Sequence, residues 1–133
     1  MPSSAVEFEK VGATVRVLVS SRETAGDYVI CEVQTTGPIE LPFHRHSYED
    51  QWIHVLAGEF YFEADNVSTV GKPGTSVMIP RESLSRVTAS MPGKLVIIAR
   101  PGGLDLFLGD ARAALSANSP LLPIFEKHGI VLQ

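Results

Sequence analysis

With one cysteine in 133 residues, the chain cannot form an internal disulfide. Cys31 alternates with the apolar Val29 and Val33 and has no basic residue nearby, a setting that argues against a reactive thiolate. Lys/Arg blocks are also missing. The 11 basic residues are scattered among 15 acidic ones, giving a net charge of −4, which excludes nucleic acid and anionic membrane as expected partners. The N-terminus shows neither a basic start nor an apolar signal core, so a cytoplasmic location is expected. No repeat, linker or low-complexity segment interrupts the chain. Only 20% of residues are charged and 44% are hydrophobic, a balance that excludes disorder as the dominant state. A length of 133 residues fits one domain with a sizeable core.

Turn residues punctuate the sequence at Gly26, Gly37-Pro38, Gly58, Asp65-Asn66, Pro73-Gly74, Pro92-Gly93 and Pro101-Gly102-Gly103. The short apolar runs between them predict a β-sandwich or barrel. Thr14–Val19, Tyr28–Thr35, Trp52–Leu56, Glu59–Glu63, Ser76–Ile79 and Leu95–Arg100 are the clearest strands, rich in Val, Ile and aromatics. Asp105–Leu115 and Pro120–His128 read as helical, with Gly129 as a C-cap. The apolar Pro120-Leu121-Leu122-Pro123-Ile124-Phe125 must pack somewhere, either across a barrel mouth or over other apolar surface.

The chemically informative segment lies between Gly37 and Gly58. His44 and His46 are one residue apart, and on a strand such a pair points to one side. They could hold one metal ion together, or stand as a hydrogen-bonded interior pair without metal. The run from Pro42 to Glu59 resembles the first motif of the cupin superfamily, His-x-His followed by a Glu and then a Gly. Gly58 fits, and with six residues between them Gln51 stands where that family places its carboxylate ligand. The second motif, Gly-x5-Pro-x-Gly-x2-His-x3-Asn, is matched by Gly74 and Pro80. Its turn Gly, ligand His and final Asn are replaced by Glu82, Ser85 and Ala89.

The resemblance runs from about Val15 to Leu108. Arg22-Glu23-Thr24-Ala25-Gly26, the segment Arg100 to Phe107, and Lys127-His128-Gly129-Ile130 are similar to small single-domain cupins often called quercetin-dioxygenase-like, some of which are polyketide cyclases. It implies an all-β cupin domain over residues 1–133, a double-stranded β-helix or jelly-roll barrel. The barrel core would span about residues 12–101 and a short helical tail about 104–133. A homodimer is implied by the same likeness.

Carried onto this chain, the family alignment turns His44, His46, Gln51, Ile53, Val55, Met78, Ser85 and Val87 inward, with Trp52 and His54 outward. Phe60 and Phe62 share one face, core first and substrate wall second, while Tyr61 shares the other with Glu59 and Glu63. The expected pocket is apolar, lined by Ile53, Val55, Phe60, Phe62, Met78 and Val87, with polar groups at one end. Glu49 and Asp50 read as a solvated turn, or else as substitute carboxylates at the pocket mouth. His54 reads as an outer-face or interface residue, and His128 as a helix-end residue that satisfies carbonyls.

A site of His44, His46 and Gln51 would hold zinc, iron, manganese or nickel weakly, or hold no metal, because an amide brings no charge and Ser85 is a poor ligand beside imidazole. The sequence therefore points to non-oxidative chemistry of the cyclase or isomerase kind on a small hydrophobic molecule. His44 or His46 would act as general acid or base, with Gln51 and Ser85 orienting a carbonyl or hydroxyl. A metal-dependent quercetinase-like dioxygenase and a non-catalytic binding module are the competing readings.

Overall fold

The computed structural model describes residues 5–8 and 12–133. Twelve strands among these residues form two antiparallel sheets. The first contains β1 (Ala5–Phe8), β2 (Ala13–Val19), β3 (Val29–Thr35), β6 (Asp50–Ala57), β9 (Ser76–Ile79) and β11 (Gly93–Arg100), in the order β1-β2-β3-β11-β6-β9. The second contains β5 (His44–His46), β7 (Phe60–Ala64), β8 (Val67–Gly71), β10 (Ser85–Ala89) and β12 (Ile130–Leu132), in the order β12-β5-β10-β7-β8; β4 (Ile39–Glu40) pairs with β10. Helices α1 (Leu104–Ser116) and α2 (Leu122–Lys127) precede the last strand.

Period-two alternation builds the sandwich. Along β6, Gln51, Ile53 and Val55 are buried while Trp52, His54 and Leu56 are exposed. Facing them, Phe60 and Phe62 of β7 stack with centroids 6.3 Å apart. With Ile39, Ile79, Ala89 and Leu95 they complete one packed cluster. Burial of side chains this size stabilises the fold by about 1.5–3 kcal/mol each. The β7–β8 turn is Asp65-Asn66, both at positive φ (47° and 69°), the geometry that suits a two-residue hairpin. Gly58, the glycine of the first motif, has φ 79°, and a Cβ there would lie 2.7 Å from the Pro92 carbonyl oxygen. Both the dihedral and the close approach require glycine.

One expectation about the interior is corrected. Met78 points outward and is 48% exposed. Trp52 pairs with Met78, and Gln51 and Ile53 pair with Ile79 and Val77. Residues directly opposite share a face, so an outward Trp52 takes Met78 with it, and Val77 and Ile79 supply the inner surface.

The tail is helical as predicted, with a difference at its end. Leu104, Leu108, Ala111 and Ala114 form the buried stripe of α1, and Leu104 and Leu108 pack on Val29, Cys31 and Ala99 in a second cluster. Asp105 ties the helix start to the loop after β2, accepting hydrogen bonds from Ser21 N (3.0 Å) and Oγ (2.9 Å). Gly129 then turns the chain at φ 70°, and residues 130–132 form β12, a strand and not a continuation of helix. Ile130 pairs with His46 and Leu132 with His44. Three apolar residues form a strand here because β5 offers them an open edge, a partner that local sequence does not reveal. No helix among the described residues is long and apolar enough to cross a membrane.

Candidate active site

His44 and His46 flank Arg45 on β5, which lies between β12 and β10. Ser85 sits directly opposite His44 across the β5–β10 ladder, and Val87 follows it on the same face, opposite Phe62. Across the sandwich Gln51 pairs with Ala99 and Ile79. Two residues from β5, one from β10 and one from β6 thus meet at one end of an apolar interior. Gln51 is 7% and Ser85 3% exposed.

Hydrogen bonds set both rings. His44 Nδ1 lies 3.0 Å from the Pro42 carbonyl oxygen, which can only accept, so Nδ1 carries the proton and Nε2 keeps its lone pair. His46 Nδ1 is 2.8 Å from Glu49 Oε1, and Gln51 Nε2 approaches His46 Nε2 at 3.4 Å. The rings meet edge-on with centroids 5.0 Å apart. Burial holds the His44 pKa below its ordinary value of 6.5, and the neighbouring His46 adds to the effect. His44 therefore stays neutral through physiological pH.

Glu49 corrects a second expectation. It is no solvated turn residue, being 6% exposed with its carboxylate on His46. Sequence reasoning aligned Gln51 with the family's carboxylate and kept Glu49 as an alternative carboxylate at the pocket mouth; the structure places it behind the His46 ring instead, on Nδ1. Asp50 leaves the site altogether. It accepts hydrogen bonds from Arg81 N at 2.8 Å and from the guanidinium at 3.3 and 3.2 Å, and these bonds hold its carboxyl below the usual range. This clasp joins the two motif segments. Glu82 completes it, its N–H donating to the His46 carbonyl at 2.9 Å from a left-handed φ of 71°, a conformation better suited to the glycine that the family pattern has there.

Other residues fall outside the site. His54 faces outward, within 2.7 Å of Ser76 Oγ. The His128 ring meets Asp110 Oδ2 at 2.7 Å and the Phe107 ring edge-on; the expectation that it satisfies carbonyls is replaced by this carboxylate contact between the helices. Val55, Phe60 and Phe62 have 0–1% accessible surface, so they are a packed floor and do not wall an open pocket. Ile53 is 2% exposed and belongs to the same floor. Val87 retains accessible surface beside Ser85. Burial lifts the Cys31 thiol to about 12, which keeps it protonated and unreactive.

The donor set does not suit a firmly held metal. Two imidazole Nε2 atoms are available, but Gln51 directs its amide N–H group at one of them, Ser85 offers a neutral hydroxyl, and Glu49 is engaged behind the ring. Among the described residues no group of three or more His, Cys, Asp or Glu side chains could share one metal ion.

A two-sheet antiparallel sandwich with a His-x-His strand at one end of its interior is the architecture of the small β-barrel proteins that the first motif resembled. The chain belongs to the cupin family: the family model described as "Cupin domain" matches residues 29–98, just over half its length. A search of curated proteins finds no significant match. Among solved structures, KdgF from Halomonas sp. is similar with a TM-score of 0.67 and 21% identity, covering 77% of this chain and 90% of that one. The polyketide cyclase RemF from Streptomyces resistomycificus has a TM-score of 0.60 at 21% identity over 74% and 73% of the two chains. An RmlC-like cupin from Shewanella frigidimarina has a TM-score of 0.60 at 20% identity over 80% and 99%. At these identities the likeness defines the fold, and activity has to be argued from the site.

Proposed function

We propose that this cupin is an enzyme of non-oxidative acid–base chemistry, a cyclase or isomerase acting on a small hydrophobic molecule of aromatic or polyketide-like character. One observation carries the reading. Two half-buried imidazoles, each with its Nδ1 on an oxygen acceptor, stand beside an amide and a hydroxyl above an apolar floor. A neutral imidazole with an open Nε2 can take a proton, and its conjugate acid can return it elsewhere on the substrate. Gln51 and Ser85 supply the hydrogen bonds that would orient a carbonyl or hydroxyl, and Val87 the adjacent apolar contact. RemF, a polyketide cyclase of similar fold, supports the substrate class by analogy.

A quercetinase-like dioxygenase is the less favoured reading, because that chemistry asks for an anionic ligand where Gln51 stands. Any zinc, iron, manganese or nickel at His44, His46 and Gln51 is expected to be substoichiometric and removable by a chelator. The test is turnover of a panel of aromatic polyketide and phenolic compounds after chelation and under anaerobic conditions. Activity is expected to persist. Its loss on removing oxygen would move the assignment to the dioxygenase, and binding without product under any condition to a binding module.

The partner we propose for the outer face of the first sheet is a second copy of the chain. Met78, Trp52 and Ile98 form one row across three strands, and they are 48%, 39% and 38% exposed. A two-fold axis would lay this apolar row on itself, the arrangement of an isologous dimer. Light scattering is expected to give a dimer mass, reduced to a monomer by Trp52→Glu; a monomeric native protein would refute the pairing.

A further inference from the structure

Glu49 is the one buried carboxylate beside the two histidines, and neither cupin motif assigns it a place. It lies on the bend between β5 and β6, three residues after His46, and its side chain is 8% exposed against 12% for the His46 ring. Its Oε1 is 2.8 Å from His46 Nδ1. An ionised carboxylate has no hydrogen to give, so the proton of this contact sits on Nδ1. On the far side of the ring, the Gln51 amide nitrogen lies 3.4 Å from Nε2. An amide N–H can only donate, so it too requires a bare Nε2. Two independent contacts on opposite edges of one ring therefore specify the same tautomer.

From this geometry we propose that Glu49 is a positioning residue for His46, locking the ring as the Nδ1–H tautomer so that Nε2, which the Gln51 amide contacts in the free protein, is the nitrogen that meets a substrate once that contact is exchanged. The role rests on the acid–base reading above. A carboxylate that orients an imidazole in this way fixes which nitrogen reacts and steadies the imidazolium that forms when it takes a proton. His44 has a weaker version of the device, a neutral backbone carbonyl 3.0 Å from its Nδ1. The two rings are thus unequal. A carboxylate fixes the His46 ring and a neutral backbone carbonyl fixes that of His44.

The test reads the ring directly and needs no ligand. In the full-length protein labelled with ¹⁵N, the four histidines can be assigned from single His→Gln variants. His46 is expected to show a protonated Nδ1 and an unprotonated Nε2. Glu49→Gln keeps the side chain's shape but can either accept from Nδ1–H or donate to a bare Nδ1. It is therefore expected to give a tautomer mixture, with kcat lowered at least about tenfold and KM little changed. Glu49→Asp, which keeps the charge on a shorter arm, is expected to recover part of that loss.

A native His46 protonated at Nε2 would overturn the assignment, and that spectrum decides the matter even if the variants do not fold. A Glu49→Gln protein with shifted tautomers and undiminished kcat would overturn the positioning role. If the native protein turns over no compound, the acid–base reading fails and with it the role in catalysis, whereas the tautomer assignment is still judged by the spectrum.

Discussion

Turnover should fall by about 10²- to 10⁴-fold when His46 is replaced by alanine, the range typical of losing a general acid or base. The methyl side chain cannot accept a proton, and the change also strands the buried Glu49 carboxylate without its 2.8 Å partner. His44→Ala should fall within the same range, toward the smaller end, since His44 is a neutral hydrogen-bonding group held by a carbonyl. Ligand affinity should drop much less than turnover in both variants, because the imidazole interactions strengthen in the transition state. Steady-state kinetics with a separate binding titration makes this distinction. Equal losses in affinity and rate would assign the histidines to ground-state binding.

The second large effect is expected from the tail. Truncation after Asn118 removes α2 and β12 and leaves β5 without its outer neighbour. Ile130 is 7% exposed, and loss of its burial alone costs about 1.5–3 kcal/mol. The β12 partners of His44 and His46 disappear with it, as do the hydrogen bond from Ser47 N to the Gly129 carbonyl and that from Gln133 N to Phe43 O. Phe107 of α1 would lose its ring contacts with Phe125 and His128. A fall in melting temperature of about 5–10 °C or more is expected, together with aggregation through the bared β5 edge. Calorimetry and light scattering on the truncated protein give the answer; an unchanged melting temperature and mass would show that β5 holds its place without β12.

These two expectations meet at β5, a three-residue strand with little stability of its own. Its sequence carries the chemistry, but its geometry depends on residues far along the chain. Ser85 pairs with it from one side and the C-terminal strand from the other. The clasp of Asp50 on Arg81, with Glu82 N–H bonded to the His46 carbonyl, adds a third attachment. The histidine end of the interior is therefore assembled from both motifs and the tail together.

Local sequence determined the elements whose signals are local. Alternation along Trp52–Leu56 and Phe60–Phe62, the turn residues at Gly58 and Asp65-Asn66, the helical stripe of Leu104 and Leu108, and the shared side of His44 and His46 all follow from spacing and residue type, because period and turn chemistry act over a few neighbours. What depended on pairing between distant segments was decided only by the tertiary structure. Register across β6 and β9 turned Met78 outward, an edge left open by β5 made a strand of Ile130–Leu132, and the bend after β5 buried Glu49 against His46. In each case the deciding partner is contributed by another strand or by the fold of a turn, and a side chain's face is fixed only when that partner is in place.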